Sequence, residues 1–349
     1  MFDDESERED VPQGQVKYLD ALATQVTEVT RIAKTVADSL GGAPLPAPRK
    51  PVLIGMGASY AALGAAEHAL RRHGRSALRV VASDFDSVSF DFSDLIVALS
   101  QSGKSRETIE AVRVADQPTL AVVNVAGSPL AQACSSALAF GSVPDSLAST
   151  TGYTGSLVTM GMLTDSWIAG RPDPAWLSLG ERLGAFESGF GALVSDLAAG
   201  LSESSSVDVV GSGGYCGAAE AGALLLREVC TVPTAAFTGR QYLHGPMEAW
   251  PGVGHVIIGA TDAWLVAEPL AERGHPVTIL SAASDPAWRH RNVRLVPLPA
   301  QSVAEEYAFA AILLQHVAAR LATARSADPD EFLFLSPDTK VDLAEPCPS

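Results

Sequence analysis

The chain alternates between short apolar runs and longer segments with helical spacing, and this alternation constrains its fold more than any other feature. In the first half, apolar runs begin at residues 51, 78, 94, 118 and 137, with room for a helix between most of them. Such alternation is typical of βαβ units, which build a parallel sheet with helices on both faces. An apolar helix over residues 150–169 closes this first unit.

The second half of the chain repeats the scheme. After a helix over residues 175–201, apolar runs begin at residues 207, 234, 256, 277 and 293, and a last helix covers residues 304–324. A Gly/Ser turn follows the first run of each half, which indicates an internal duplication. We predict an α/β fold with two doubly wound, flavodoxin-like parallel sheets in tandem, each a three-layer α/β/α unit. The predicted units are an N-terminal helical arm over residues 1–45, a first domain over 46–172, and a second domain with a C-terminal tail over 173–349.

The charge balance and the cysteines limit the partners of the chain. The 40 acidic residues exceed the 24 basic ones, and a net charge of −16 argues against a nucleic-acid-binding face. The four cysteines show no CxxC or metal-ligand spacing, and the acidic start lacks a signal-peptide pattern. No apolar run reaches the roughly 18 residues of a membrane span. We expect a cytoplasmic protein with no bound metal, cofactor, membrane or nucleic acid.

The segment Ser100–Thr108, called the hydroxyl loop below, joins a buried strand over residues 94–99 to a helix. It carries four hydroxyl side chains, and Gly103 lets the backbone approach an anion closely. The start of the helix adds unpaired N–H groups and the positive end of the helix dipole. We interpret the loop as a site for one phosphate; the alternative is a capped helix with surface serines. The hydroxyl loop lacks the spacing of a Walker A nucleotide loop. In the earlier Gly/Ser turn after the first strand, Tyr60 replaces the last glycine of a dinucleotide fingerprint.

Three further groups of residues are candidates for chemistry. Ser146–Thr151 is rich in hydroxyls ahead of a helix, where it can either cap the helix or contact a sugar. Glu220, Arg227 and Glu228 lie on a largely apolar helix. A carboxylate there can have a raised pKa and move protons, although an exposed salt-bridged face is commoner. His244 precedes Gly-Pro in a loop, a rigid position that suits proton transfer.

Together these segments resemble the paired sugar-isomerase (SIS) domains found in the isomerase half of glucosamine-6-phosphate synthase and in its single-function relatives. The resemblance covers about residues 15–341. The matching segments are Gly57–Ser59, Ser100–Gly103, Ala148–Thr150, Gly222–Glu228 and Leu243–Pro246. The resemblance implies two SIS domains in tandem, a homodimer, and a phosphorylated sugar or amino sugar as the ligand.

The resemblance also implies roles for individual residues. Glu228 would move the proton between C1 and C2, and His244 would assist ring opening from across the dimer interface. Lys340 would form a Schiff base with the sugar carbonyl or polarise it. The implied phosphate-binding residues are Ser59, Ser100, Gln101, Ser102 and Ser105, and the implied sugar-binding residues are Gly57, Ser149 and Thr150.

The sequence departs from the resemblance at several positions. Leu225 stands where the synthase has a helix lysine, and Ala221 stands where it has a glutamate. The chain starts Met1-Phe2-Asp3, without the N-terminal cysteine of a glutaminase domain, so glutamine-dependent amination is not expected.

The predicted function is a phosphosugar isomerase or an amino-sugar-phosphate deaminase that acts on a hexose 6-phosphate of the glucosamine 6-phosphate or fructose 6-phosphate type. Two alternatives stay open. One is a fructosamine-phosphate deglycase; the other is a phosphosugar-binding protein without catalysis, which the missing helix lysine favours. A transcriptional regulator is disfavoured, because no helix-turn-helix segment precedes residue 50 and the chain is acidic.

Overall fold

A computed structural model describes residues 15–42, 45–249, 252–283, 289–334 and 339–341. These residues form two five-stranded sheets in which every strand pair is parallel. The prediction of two doubly wound parallel sheets is therefore confirmed. Residues 1–14 and 43–44 of the predicted N-terminal arm lie outside the described part of the chain.

The first half begins with one long helix and then builds the first sheet. Its helices and strands are α1 (Tyr18–Gly42), β1 (Pro51–Gly55), α2 (Gly57–Arg72), β2 (Leu78–Val81), β3 (Leu95–Ser100), α3 (Arg106–Val114), β4 (Thr119–Val123), α4 (Pro129–Ala133), β5 (Ser136–Ala139) and α5 (Thr151–Ala169). The strand order is β2-β1-β3-β4-β5. Strands β1, β3 and β4 are buried almost throughout, as expected of apolar strands covered on both faces.

The second half builds a sheet of the same design. Its helices and strands are α6 (Leu179–Glu187), α7 (Phe190–Ser202), β6 (Ser206–Gly211), α8 (Cys216–Cys230), β7 (Thr234–Thr238), α9 (Gly239–Tyr242), β8 (Val253–Ile258), α10 (Trp264–Glu272), β9 (Val277–Ser281), β10 (Val293–Pro297) and α11 (Val303–Arg325). The sheet order is β7-β6-β8-β9-β10, so each strand occupies the place of its counterpart in the first sheet. Both halves thus have the same topology.

One predicted element differs from the structure. The single helix expected over residues 175–201 is divided into a 3-10 turn, Pro174–Ser178, and the helices α6 and α7. The helices are separated at Ser188 and Gly189, where glycine has a low helix propensity. Each of the two helices still contributes to the core, with Leu183 on α6 and Leu197 on α7 both buried.

The main hydrophobic core lies between the two sheets, where helices α1, α2, α5, α8 and α11 pack together. Helices α2 and α8 approach each other at glycine. A Cβ atom on Gly217 would collide with the carbonyl oxygen of Ala61, and one on Gly64 would lie 3.1 Å from Gly217 Cα. The backbones of the two halves are therefore in direct contact at this point.

Helix α11 is central to the same core. Among the described helices it alone has the length and apolar composition of a membrane span, and most of its apolar window is buried inside the protein. Its buried positions, which include Phe309, Leu313 and Leu321, face the surrounding helices. This burial accounts for the apolar composition of α11.

Candidate active site

The hydroxyl loop follows β3 at the carboxyl edge of the first sheet, where α/β proteins bind their ligands. Gly103 has a φ of 63°, and a side chain there would collide with Ser128, so glycine is required. The Gly103 N–H donates to Ser100 Oγ at 3.1 Å, and the Lys104 N–H donates to Ser102 Oγ at 3.2 Å. The loop is thus a compact turn held by its own hydroxyl groups.

Ser105 is the N-cap residue of α3, but its side chain makes no capping hydrogen bond to the helix backbone. Its hydroxyl instead accepts from Thr108 Oγ1 at 3.0 Å and donates to Glu107 at 3.3 Å. The first N–H groups of α3 therefore donate no hydrogen bond to the side chain of their N-cap residue. Such N–H groups can bind an anion.

Ser59 lies in the first turn of α2, directly after β1. The helix begins at Gly57, which has a φ of 50° and lies beside Leu224 of α8. The neighbouring Ala58 lines a cavity between the two halves. The predicted residues Gly57 and Ser59 flank Ala58 in sequence, but neither is among the residues that line the cavity.

Ser149 and Thr150 precede α5, and both are held by the carboxylate of Asp145. Ser149 Oγ donates to Asp145 Oδ2 at 2.6 Å, and the Thr150 N–H donates to Asp145 Oδ1 at 2.9 Å. Burial raises the pKa of Asp145, although these hydrogen bonds act in the opposite direction. Gly152 packs against Asp145 and Gln101, which brings the hydroxyl loop next to Ser149.

Glu228 lies in the cavity between the halves. The cavity is narrow, with a volume of about 30 Å³, and is bounded by the starts of α2 and α5 and by α8 and α11. Ser149 lines it together with Glu228, so a predicted sugar-binding residue and the predicted proton shuttle share one space. Glu228 has no hydrogen-bond partner among the described residues, and burial raises its pKa from the ordinary 4.5 to about 7.

Lys340 reaches the hydroxyl loop from the far end of the sequence. Its backbone pairs with Ser105 in an antiparallel bridge, and the next N–H, that of Val341, donates to Lys104 O at 2.9 Å. Lys340 Nζ donates to Ser102 Oγ at 3.3 Å. Desolvation by neighbouring atoms, and then the positive charge of Lys104, lower the pKa of the Lys340 amine. The Lys340 side chain nevertheless keeps contact with solvent.

His244 is exposed in the turn after α9. Its neighbour Tyr242 packs in a separate core with β8 and α10, and the Tyr242 hydroxyl donates to Asp208 at 2.7 Å. The structure therefore does not bring His244 to the cavity within one chain. Its predicted entry across a dimer interface stays a prediction.

Glu220 forms a salt bridge, but the pair is partly buried and its partner is not on the same helix, so it is not the exposed salt-bridged face that the sequence offered as an alternative. Both carboxylate oxygens of Glu220 accept from the guanidinium of Arg79, which stacks on the ring of Tyr60 with its centre 4.0 Å from the ring centroid. Arg227 donates instead to the carbonyl of Thr234. The Glu220 salt bridge thus joins the two halves, whereas the Glu228 carboxylate has no hydrogen bond or salt bridge to a described residue.

Sequence reasoning missed three buried polar residues around the cavity, namely Asp145, Gln25 and Gln315. Gln315 Nε2 donates to Thr150 O at 3.3 Å, and Gln315 Oε1 accepts from Gln25 Nε2 at 2.9 Å. The signal in the sequence that could have found one of them was Gln315, a glutamine at a core-facing position of the otherwise apolar helix α11. Among the described residues, no cluster of three or more His, Cys, Asp or Glu side chains is placed to hold a metal ion.

The buried carboxylate predicts a pH-dependent stability. Below about pH 4.5 Glu228 is protonated in both the folded and the unfolded state. As the pH rises towards 7 and above, the unfolded chain ionises it readily, while the folded chain must ionise it in a buried site. At pH 8 the free energy of unfolding of Glu228→Gln is therefore expected to exceed that of the parent by about 2 kcal/mol, after allowance for partial exposure. Near pH 4 the two free energies of unfolding should be equal. Denaturant titrations at both pH values measure this; equal stability at pH 8 would contradict the burial. The exposed Glu110→Gln is the control.

Comparisons with known proteins are consistent with this geometry. Residues 47–166, which run from just before β1 into α5, match the family model of the SIS domain. The matched segment covers about a third of the chain. It contains β1 to β5 and the hydroxyl loop, so the predicted phosphate-binding residues all lie within the SIS match.

The relatives extend beyond the SIS match. Over 266 residues the chain is 29% identical to glutamine–fructose-6-phosphate aminotransferase [isomerizing] of Mycobacterium leprae, an alignment that covers 69% of this chain and 42% of the relative. The chain thus spans less than half the length of the curated relatives it matches.

Two solved structures show the same fold. One is the C-terminal domain of glucosamine-fructose-6-phosphate aminotransferase from Francisella tularensis, with a TM-score of 0.75 at 18% identity, covering 91% of this chain and 99% of that one. The other is glucosamine-6-phosphate deaminase from Thermotoga maritima, with a TM-score of 0.73 at 17% identity, covering 92% and 98%. Both likenesses in fold include the second half of the chain as well as the segment that matches the SIS model.

Proposed function

We propose that this protein is a phosphosugar isomerase or an amino-sugar-phosphate deaminase, which moves a proton between C1 and C2 of a hexose 6-phosphate. The observation that carries the proposal is the position of Glu228. A largely buried carboxylate without a hydrogen-bond partner faces a cavity that Ser149 also lines, next to the hydroxyl loop. A pocket that joins an anion site to an unpaired carboxylate suits a phosphorylated substrate with a proton to be transferred.

The phosphate end of the substrate would lie in the hydroxyl loop. Ser59, Ser100, Gln101, Ser102 and Ser105 are proposed as its ligands. Support comes from the start of α3, whose N-cap side chain makes no capping hydrogen bond, and from the hydroxyl groups of the loop. The hydroxyl groups of this loop suit a single phosphate. Because the chain carries a net charge of −16, local donors must hold the anion.

The carbonyl end would lie beside Glu228, with Gly57, Ser149 and Thr150 near the sugar. A general base works best when its pKa is close to the working pH, and a pKa of about 7 meets that condition. We propose Lys340 as the group that engages the carbonyl, and His244 of a second copy in a homodimer as the group that assists ring opening. We also propose that residues 173–349 form a second SIS domain with a tail, because the second sheet has the strand order of the first.

One observation favours a second candidate, a phosphosugar-binding protein without catalysis. Leu225 lies in the cavity wall, so the lysine that the resemblance places there is absent from the site itself. A deglycase that releases an amine from a fructosamine phosphate shares the proton transfer and is the other alternative. The assays below separate these readings by their products.

Calorimetric titration with fructose 6-phosphate and glucosamine 6-phosphate tests the proposal. We expect binding to both, at least tenfold tighter than to fructose and glucosamine, since a charge-assisted phosphate contact contributes about 1.5–3 kcal/mol. Ser102→Ala and Ser105→Ala should each weaken binding of the phosphorylated sugars about fivefold, while the exposed Ser39→Ala should not.

Product assays then identify the reaction. Interconversion of glucose 6-phosphate and fructose 6-phosphate marks an isomerase, and ammonia release from glucosamine 6-phosphate marks a deaminase. Release of an amine from a fructosamine phosphate marks a deglycase. Binding without any product supports the non-catalytic alternative, and absence of binding to every sugar phosphate would overturn the proposed function.

A further inference from the structure

Asp145 is a buried carboxylate in the segment between β5 and α5, and its hydrogen bonds go to residues of the candidate site. The residue is 4% exposed. Ser149 Oγ donates to Asp145 Oδ2 at 2.6 Å. The other oxygen, Oδ1, accepts from the Thr150 N–H at 2.9 Å and from Thr150 Oγ1 at 3.3 Å. Both oxygens of the carboxylate are thus engaged by the two residues that precede α5.

The position of Asp145 is itself fixed from two sides. The Val16 N–H donates to the Asp145 carbonyl oxygen at 3.0 Å, and Gln15 pairs with Asp145 in a parallel bridge. On the other side, a Cβ atom on Gly152 would lie 2.1 Å from Asp145 Oδ2 and 2.4 Å from Gln101 Cγ. The carboxylate therefore has little room to turn, and the hydroxyl loop packs against the same glycine.

The contact with Asp145 determines which hydrogen-bonding group Ser149 can offer to a ligand. A serine hydroxyl has one proton to donate and two lone pairs that accept. A contact of 2.6 Å has the length of a hydrogen bond from a hydroxyl to an ionised carboxylate, so the Ser149 proton is committed to Asp145. Because Ser149 lines the cavity beside Glu228, its oxygen faces a ligand there as an acceptor.

The size of the cavity limits what Ser149 can bind. A volume of about 30 Å³ takes a group of about the size of a water molecule. A single hydroxyl or amino group meets that limit, and both groups carry a proton that an acceptor can bind. A ligand group that enters the cavity without donating to Ser149 loses a hydrogen bond to water, which weakens affinity about tenfold.

We propose that Asp145 is a positioning residue of the candidate site, which holds the Ser149 proton so that Ser149 accepts a hydrogen bond from a hydroxyl or amino group at C1 or C2 of the sugar. This role differs from that of a helix cap, because Asp145 acts on the ligand through Ser149 and not only on the stability of α5. The inference rests on the proposed function, and it assigns control of specificity to a residue that does not line the cavity.

Fluorine distinguishes an acceptor from a donor in the protein, because a C–F group can accept a weak hydrogen bond but cannot donate one. The test uses the intact chain and two ligand series. One series is glucose 6-phosphate with its 2-deoxy and 2-deoxy-2-fluoro analogues, and the other is fructose 6-phosphate with its 1-deoxy and 1-deoxy-1-fluoro analogues. In at least one series, calorimetry is expected to show the hydroxyl compound binding about tenfold more tightly than both of its analogues.

Two variants assign this difference to the Asp145–Ser149 pair. In Asp145→Asn the amide oxygen can accept from the Thr150 N–H, but the amide nitrogen then faces Ser149, which accepts from it and turns its own proton to the ligand. Asp145→Asn and Ser149→Ala should each remove the preference for hydroxyl over fluorine. The double variant should bind the hydroxyl compound within twofold of Ser149→Ala. Asp38→Asn, at an exposed position of α1, is the control and should keep the tenfold difference.

Three results would overturn the inference while the proposed function stands. The first is equal binding of all three compounds in both series. The second is a fluoro analogue that binds as tightly as the hydroxyl compound and more tightly than the deoxy compound, which would show that Ser149 donates. The third is equal weakening of the hydroxyl and deoxy compounds in Asp145→Asn, which marks a purely structural role. If no sugar phosphate binds at all, both are overturned. The series on the parent chain and on Ser149→Ala decide the matter even if Asp145→Asn does not fold.

Discussion

Glu228→Gln is expected to lower kcat for the proton-transfer reaction by about a thousandfold while changing the Kd of the sugar phosphate less than threefold. The amide keeps the shape of the side chain but cannot accept a proton from C1 or C2. Loss of a positioned general base typically costs between a hundredfold and ten-thousandfold in rate. Steady-state kinetics on the substrate identified by the product assays, with calorimetry for Kd, measures both quantities.

The pH profile gives an independent check on the same residue. Because burial raises the pKa of Glu228 to about 7, the base is protonated and inactive at lower pH, and kcat of the parent should fall about tenfold for each pH unit below 7. Exposed Glu110→Gln is the matched control, with kcat expected within twofold of the parent. An unchanged kcat in Glu228→Gln would show that another group moves the proton.

Lys340→Met is expected to lower kcat about a hundredfold, the second large effect. The amine lies at the hydroxyl loop, where it donates a hydrogen bond to Ser102, and its lowered pKa increases the fraction of the neutral form that can attack a carbonyl. If it only polarises the carbonyl, loss of one such donor still costs about a hundredfold. Methionine retains the length of the side chain, so packing changes little.

Borohydride distinguishes the two roles of Lys340. A Schiff base would be reduced to a stable adduct, which mass spectrometry would find in the parent with substrate but not in Lys340→Met. Polarisation alone gives no adduct. Lys34→Met, at an exposed position of α1, is the control and should retain the parent kcat. A normal kcat in Lys340→Met would remove this lysine from the mechanism.

The fold could be predicted largely from local pattern. The alternation of strands and helices gave both sheets, because continuous apolar runs such as β1 and β4 belong to strands covered on both faces. The break between α6 and α7 was missed, since Gly189 is a weak signal inside an otherwise helical pattern.

The site was predictable only where its residues are neighbours in sequence. The hydroxyl loop is local, so its turn could be anticipated around Gly103. Whether Glu228 or Glu220 is buried depends on contacts with other elements, and periodicity within α8 does not contain that information. The pairing of Gln25 with Gln315 joins residues 290 positions apart, which no local pattern can reveal.

The direct backbone contact between α2 and α8 has a consequence for how the site can change. A Cβ atom added at Gly64 or Gly217 would force neighbouring atoms to shift, so a side chain at either position has to push the two helices apart. Because α2 and α8 both line the space beside Glu228, such a substitution alters that space without touching a residue that lines it. The two glycines therefore help to set the width of the cavity, while its surface chemistry is set by side chains such as Leu225.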